Sequence, residues 1–150
     1  LKVGDTAPDF DLATDGGGRV RLSELKGKPV VVYFYPKDDT SGCTKEAQDF
    51  TALLPEFEKR GAVVIGISPD GVKAHEKFRA KYELGVTLAS DEDKSVLEAW
   101  GVWVEKSMYG RKYMGVERTT VLVDAAGKVA AVWPKVKVTG HAAAVLKALG

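Results

Sequence analysis

Two continuous apolar runs constrain the fold of this chain more than any other feature. The runs "PVVVYFY" at residues 29–35 and "AVVIGIS" at residues 62–68 are rich in β-branched side chains and nearly free of polar ones. A strand with one solvated face alternates polar and apolar residues, whereas a strand covered on both faces is apolar throughout. We therefore expect both runs to be central strands of a sheet with helices on both faces.

The segment between the two runs, "GCTKEAQDFTALLPEFEKRG", predicts the helix that connects them. Its apolar residues repeat at steps of four and three, which places them on one stripe of an α-helix. We expect Pro55 to kink this helix and Gly61 to end it. The residues of the stripe are Cys43, Ala47, Phe50, Leu54 and Phe57.

Strands and helices alternate along the rest of the chain. The residues around "DGGG" and the pair "ERTTVLVD" and "VAAVW" predict two hairpins, and "VTLASD" predicts a strand. The segments "GVKAHEKFRAKY", "EDKSVLEAWG" and "GHAAAVLKALG" predict helices, and the Gly-, Tyr- and Lys-rich residues 102–115 predict a loop. This order predicts one domain over residues 1–150, with an α/β, thioredoxin-like fold: a central mixed β-sheet flanked by helices, with an added N-terminal β-hairpin.

Composition and charge exclude several classes of function. The formal net charge is +1, so nothing indicates a nucleic-acid or anionic-membrane partner, and no apolar run is long enough for a membrane span. One cysteine rules out an internal disulfide framework and fits a reducing compartment, so we expect a cytoplasmic protein. We expect no cofactor and no metal site, because only two isolated histidines are present.

Histidine and aromatic positions receive structural interpretations. We expect His75 on the surface of its amphipathic helix, and His141 close to the cap of the last helix. Four aromatic residues between the end of the third predicted helix and residue 113 are expected at the edge of a core. They are Trp100, Trp103, Tyr109 and Tyr113.

Cys43 is the main candidate for chemistry. It follows a strand and a polar loop and falls in the first turn of a predicted helix, where free backbone amides and the helix dipole favour a thiolate over a thiol. Thr40 can form a hydrogen bond toward the same place, and Pro36 stiffens the loop. The opposite interpretation stays open, because a free cysteine on an apolar stripe is also typical of an inert core residue.

The pattern Pro36-x-x-x-Thr40-x-x-Cys43 resembles the active-site signature of the peroxiredoxins, the thiol-dependent peroxidases of the AhpC/TSA family. The stretches "GDTAPDFDL", "VVVYFYPKDDTSGCTKEAQDF" and "KSMYGRKYMGVERTTVLVDAAGKV" resemble the bacterioferritin-comigratory protein, or PrxQ, subfamily in particular. The resemblance covers nearly the whole chain.

The resemblance implies a role for each matching residue. Cys43 would attack a hydroperoxide and become a sulfenic acid, and Thr40 would donate a hydrogen bond to thiolate and peroxide. Arg118, in "GVERTT", would stabilise the thiolate and orient the peroxide, although the residues alone suggest a surface arginine. Pro36 would shield the thiolate from water. Glu46, one turn after the cysteine, is either an anchor for an arginine or a helix-surface carboxylate.

The chain departs from the subfamily at the second thiol. Many relatives carry a resolving cysteine five residues after the first or in the next helix, and these positions hold Gln48 and roughly Arg79 here. Either the enzyme works with one cysteine or the second has been replaced. We expect an external thiol reductant (thioredoxin, glutaredoxin or glutathione) and a monomer. The alternative is a non-catalytic thioredoxin-fold binding module with an inert core cysteine.

Overall fold

A seven-stranded sheet forms the centre of the protein in the computed structural model, which describes all residues 1–150. Four helices and a separate two-stranded ribbon complete the fold. The strands are β1 (Asp11–Thr14), β2 (Arg19–Arg21), β3 (Val30–Phe34), β4 (Val63–Ser68), β5 (Thr87–Ser90), β6 (Trp103–Met108), β7 (Arg111–Val116), β8 (Thr119–Val123) and β9 (Val129–Trp133). The helices are α1 (Ser41–Lys59), α2 (Val72–Tyr82), α3 (Ser95–Ala99) and α4 (His141–Leu149), and two short 3₁₀ turns cover Asp15–Gly17 and Leu22–Leu25.

The strand order is β2-β1-β5-β4-β3-β8-β9. The two apolar runs of the sequence are β3 and β4, which lie side by side and parallel, and β5 continues the parallel part. The outer strands pair antiparallel, including the N-terminal hairpin of β1 and β2 and the later hairpin of β8 and β9. The predicted mixed sheet and both predicted hairpins are therefore confirmed.

The alternation of side chains along β3 divides the core in two. Val32 and Phe34 point to the face covered by α3 and the N-terminal segment, whereas Val31 and Tyr33 point to the face covered by α1, α2 and α4. All five residues of β3 are buried, as a strand covered on both faces requires. Cys43 lies in the second of these two cores.

Helix α1 spans Ser41–Lys59, close to the predicted segment 42–61. It continues through Pro55 to Lys59, and Gly61 follows with a left-handed φ of 71°. A proline within a helix removes one hydrogen bond, but the packing of Phe50 and Phe57 into the core holds the helix together on either side. No helix of the protein is both long and apolar enough to cross a membrane.

The predicted loop at 102–115 is wrong, because these residues form the antiparallel hairpin of β6 and β7. Tyr109 and Gly110 make the turn, both with φ above +50°, as tight hairpin turns require. Much of the ribbon is solvent-exposed, so its sequence lacks the apolar alternation of a half-buried strand. Tyr109 and Tyr113 are exposed rather than at a core edge, whereas Trp100 is buried.

The two histidines are both buried. The predicted surface position of His75 is wrong, since its side chain is fully buried in the packing of α2 against the sheet. His141 begins α4 directly after Gly140, as predicted, and its Nε2 lies 2.7 Å from the hydroxyl of Thr120. Burial lowers the pKa of His141, and the charge of Arg118 lowers it further.

The packing of Tyr33 on β4 generates a stability prediction. A Cβ at Gly66 would lie 2.6 Å from the ring of Tyr33, which is fully buried and stacked on Phe50. Gly66→Ala should therefore lower the free energy of unfolding by about 1–3 kcal/mol in urea denaturation. In the control Gly115→Ala, the added Cβ meets only flexible side chains of the exposed ribbon and should change stability by about 0.5 kcal/mol or less. Equal stability of both variants would contradict the tight packing at Gly66.

Candidate active site

Cys43 lies near the start of α1, the helix that follows the central strand β3. Strand β3 ends at Phe34, residues 35–40 form a loop, and α1 begins at Ser41 with Thr40 as its N-cap residue. Cys43 is thus in the first turn, where backbone amides have no acceptor within the helix. Its side chain is 1% exposed and is the only thiol of the chain.

The Thr40 hydroxyl forms no hydrogen bond with Cys43 in this structure. Its hydroxyl donates a hydrogen bond to the backbone carbonyl of Lys37 at 2.8 Å, so the predicted bond toward the cysteine is wrong for this state. No side chain caps the start of α1. The first-turn amides therefore remain available to a bound anion or polarised oxygen.

Arg118 comes to Cys43 because of strand register. In the antiparallel pair of β3 and β8, Phe34 lies opposite Thr119, so Arg118 stands at the sheet edge where β3 ends. Its Nη2 donates to Cys43 Sγ at 3.2 Å, and its Nη1 donates to Glu46 Oε1 at 2.7 Å. The side chain is only 17% exposed, so the arginine is not a surface residue.

Two further residues shape the space around the sulfur. A Cβ at Gly42 would lie 3.3 Å from Nη2 of Arg118, so a glycine before the cysteine leaves room for the guanidinium. The sequence analysis does not predict this role of Gly42, although a glycine directly before the candidate nucleophile could have indicated it. Pro36 is half-buried in the same loop, in keeping with a shielding position.

Glu46 is buried beside the arginine rather than on the helix surface. Burial raises the pKa of Glu46 to about 7, while the charge and hydrogen bond of Arg118 oppose that rise. Its second oxygen, Oε2, has no partner, which explains why burial dominates. Burial therefore disfavours the charged form of Glu46 even though the carboxyl lies beside the guanidinium.

The two positions at which relatives carry a second thiol are occupied differently. Gln48 is an exposed residue of α1. Arg79, in α2, forms an ion pair with Asp15 and donates to the backbone carbonyls of Leu84 and Val86. Position 79 therefore serves to fasten α2 to the N-terminal hairpin and to the turn that follows α2.

The larger cavities of the protein lie away from this cysteine. A cavity of about 420 Å³ is lined by Thr6, Leu22, Val30 and Val123, at the end of the sheet opposite to α1's first turn. Cys43 is not among the residues that line it. The grouping of a thiol, a guanidinium and free amides at Cys43 is the stronger candidate for chemistry.

The contacts of Cys43 are those of a thiol suited to react. An inert core cysteine would have apolar neighbours alone, but this sulfur accepts a hydrogen bond from a permanently charged guanidinium at a helix start. Both features stabilise a thiolate and can hold a negatively polarised oxygen next to it. Fold and site together define a thiol-dependent enzyme of the thioredoxin-like class.

Comparison with known proteins identifies the family. The chain matches the AhpC/TSA family over residues 3–132. A Coxiella burnetii protein whose name places it with the peroxiredoxins called Bcp is 55% identical over 146 residues, 97% of each chain. Peroxiredoxin Bcp of Bacillus subtilis is 45% identical over 149 residues, 99% of this chain and 95% of its own.

A solved structure agrees with these sequence relatives. The bacterioferritin comigratory protein of Xanthomonas campestris, described for its alkyl peroxide reduction activity, superimposes with a TM-score of 0.92 at 46% identity. The match covers 99% of this chain and 95% of that one. The chain therefore belongs to the AhpC/TSA family as a Bcp-type peroxiredoxin, a thiol-dependent peroxidase, and its predicted thioredoxin-like fold is confirmed.

The contact of Arg118 with the sulfur predicts a shift in thiolate formation. Arg118→Ala removes a fixed positive charge, so the thiolate absorbance should appear at a pH higher by about one unit or more. Arg118→Lys keeps the charge but has no fork to contact Cys43 and Glu46 together, so the shift should be smaller. An absorbance titration identical in Arg118→Ala and the parent would show that the guanidinium does not act on the thiol.

The buried carboxyl of Glu46 predicts a pH-dependent stability. Because its folded-state pKa is raised from an ordinary 4.5 to about 7, its contribution is complete below about 4.5 and is lost as the pH rises through about 7. Relative to Glu46→Gln, the parent should therefore lose free energy of unfolding between about pH 5 and about pH 8 in urea denaturation. The control Glu58→Gln, an exposed change in the same helix, keeps Glu46 and should show the same pH dependence as the parent. A parallel pH dependence of the parent and Glu46→Gln would contradict the assignment.

Proposed function

We propose that this enzyme reduces hydrogen peroxide and small organic hydroperoxides at Cys43, with external thiols as the electron donors. The single observation that carries this proposal is the 3.2 Å hydrogen bond from Arg118 to the Cys43 sulfur in the first turn of α1. The alkyl peroxide reduction described for the X. campestris relative supports organic hydroperoxides as part of the substrate range.

The groups around the sulfur divide the work of O–O cleavage. Cys43 provides the thiolate, which the guanidinium of Arg118 and the helix start favour over the thiol. The free amides of the first turn and the same guanidinium donate to the peroxide oxygens and hold them in line with the sulfur. Glu46 keeps the guanidinium in place, and Pro36 limits access of water. A rotation of the Thr40 hydroxyl away from Lys37 would let it donate to the bound peroxide.

The first half-reaction then follows. The Cys43 thiolate attacks the terminal peroxide oxygen, a sulfur–oxygen bond forms and the O–O bond breaks. The sulfur loses two electrons and becomes a sulfenic acid. The departing oxygen takes a proton and leaves as water or an alcohol, and its developing charge is stabilised by the same donors that bound the peroxide.

The second half-reaction needs thiols from outside the chain. One thiol condenses with the sulfenic acid, which gives a mixed disulfide and water, and a second thiol reduces this disulfide and restores Cys43. The external thiol is that of a thioredoxin, a glutaredoxin or glutathione. Such donors are kept reduced in the cytoplasm, which we propose as the site of action.

We also propose that residues 1–150 act as one domain and as a monomer. A Cys43–Cys43 disulfide between two chains would need Cα atoms within about 7 Å of each other. Cys43 is almost completely buried, so such a dimer would require part of α1 to unfold. The mixed disulfide of a single chain is the easier route.

These assignments predict the behaviour of a thiol-coupled peroxidase assay. The parent should consume two thiols per peroxide, and Cys43→Ser should show no turnover, since the nucleophile is gone. Gln48→Ser, an exposed change in the same helix, should keep parental activity. Residual turnover in Cys43→Ser would place the chemistry elsewhere.

Non-reducing electrophoresis of the same samples tests the recycling route. Without reductant, the parent should stay monomeric, and excess peroxide should drive Cys43 to sulfinic and sulfonic acid. Gln48→Cys supplies a thiol in the same helix, about 7.5 Å along the axis, so an internal disulfide should form after local opening of α1. A quantitative covalent dimer of the parent would overturn the monomeric route.

A further inference from the structure

A buried polar network lies behind the loop that leads to Cys43. His75 of α2 is fully buried, and its Nδ1 lies 2.6 Å from Oδ2 of Asp38 in that loop. On the other side of the ring, Nε2 lies 3.1 Å from the backbone carbonyl of Ala89 in β5. The imidazole thus connects the loop to a helix and to a strand of the sheet.

Asp38 is held by further bonds. Its Oδ1 accepts a hydrogen bond from the hydroxyl of Tyr35 at 2.7 Å. Its backbone amide donates to Oδ2 of Asp70 at 2.8 Å, and the same oxygen accepts the hydroxyl of Ser68 at 2.7 Å. The carboxylate and amide of this one loop residue are therefore bonded to Tyr35 directly after β3, to Asp70 directly after β4 and, through His75, to α2.

Asp39, the next loop residue, also bonds to side chains of α2. Oδ2 of Asp39 pairs with Lys81 Nζ at 2.8 Å, and Oδ1 accepts the hydroxyl of Tyr82 at 2.6 Å. Asp39 has a left-handed φ of 59°, a conformation that costs energy for a residue other than glycine. Helix α2 thus holds two consecutive residues of the loop just before α1 and Cys43 begin.

The hydrogen-bond partners of the two ring nitrogens of His75 require an additional proton. Both ring nitrogens of His75 face acceptors, a carboxylate oxygen and a carbonyl oxygen. A neutral imidazole beside an ionised Asp38 would point one lone pair at an acceptor. All of these hydrogen bonds form only when one additional proton lies between Nδ1 of His75 and Oδ2 of Asp38. The proton can be bonded to either of these two atoms.

We propose that His75 and Asp38 are positioning residues for peroxide reduction: the proton they share locks the loop at 35–40, and with it the first turn of α1 at Cys43, and the loss of this proton as the pH rises releases that turn. The inference rests on the function proposed above. It assigns to α2 a supporting role toward the site, through His75 and Asp38, that is separate from the contacts of the guanidinium.

The charges and hydrogen bonds around His75 favour its protonated form. Burial alone would lower the pKa of His75, but the hydrogen bond and charge of Asp38, the carbonyl of Ala89 and the charge of Asp70 together raise it. The phenol of Tyr35, from the end of β3, faces the same carboxylate. A raised pKa means that the network stabilises the fold fully below the ordinary value of 6.5 and loses this contribution as the pH rises through the folded-state value.

The test combines the proton state of His75 with the reactivity of the sulfur. Imidazole ¹⁵N NMR of the parent follows the proton on His75, and stopped-flow mixing with hydrogen peroxide gives the rate constant of Cys43 oxidation across pH. Division by the thiolate fraction, taken from absorbance in the same buffers, isolates positioning from ionisation. We expect the rate per thiolate to fall over the same pH range in which His75 loses its proton.

Variants then distinguish the role of the His75–Asp38 contact from general effects of substitution on the enzyme. His75→Gln and Asp38→Asn should each lower the rate per thiolate by about tenfold and remove its decline with rising pH. The double variant should lose no more than either single one, because the two residues act as a unit. Glu76→Gln, an exposed neighbour of His75 in α2, should behave as the parent.

Several results would overturn the proposal. They are His75 ¹⁵N signals that do not change across the pH range, a rate per thiolate that does not follow their titration, or losses that add in the double variant. If a variant fails to fold, the NMR and rate profiles of the parent alone decide. A parent that does not react with peroxide at any pH would instead refute the proposed function, and the NMR titration would still report on the network.

Discussion

The bridge from Arg118 to Cys43 and Glu46 is the interaction on which the site depends. A guanidinium that is four-fifths or more removed from water is costly unless its donors find partners, and here one arm meets a sulfur and the other a carboxylate. The bridge also joins distant parts of the chain, because it fastens the beginning of β8 to the first turns of α1. The contacts of Arg118 therefore serve both the reactive sulfur and the packing of α1 against the sheet.

The sheet makes this contact possible. The completely buried strand β3 fixes where α1 starts, and its antiparallel register with β8 brings Arg118 to the same edge. Glycine at position 42 leaves the space that the guanidinium fills. On the far side, α2 holds the loop through His75 and Asp38, so the first turn of α1 is supported from both the sheet and a helix.

Much of the fold could be predicted from local patterns, and the misses have physical causes. The apolar runs of β3 and β4 and the stripe of α1 report burial directly, so their prediction succeeded. The β6–β7 ribbon is solvated on much of both faces, so its sequence lacks apolar alternation and predicts a loop instead of a hairpin. His75 was placed on the surface because histidine is polar, although it stands three residues before the buried Phe78 on the core side of α2. Arg118 could be placed at the site only through the family resemblance, since a contact across 75 residues leaves no trace in local spacing.

The central claim is that the Cys43 sulfur is positioned to be oxidised by peroxide. It is tested most directly by intact-mass spectrometry after one equivalent of hydrogen peroxide in the presence of a 1,3-dicarbonyl trap, which captures a sulfenic acid. The geometry at Arg118 predicts near-complete trapping at Cys43 before any further oxidation. A chain that keeps its free thiol under the same conditions would contradict the claim.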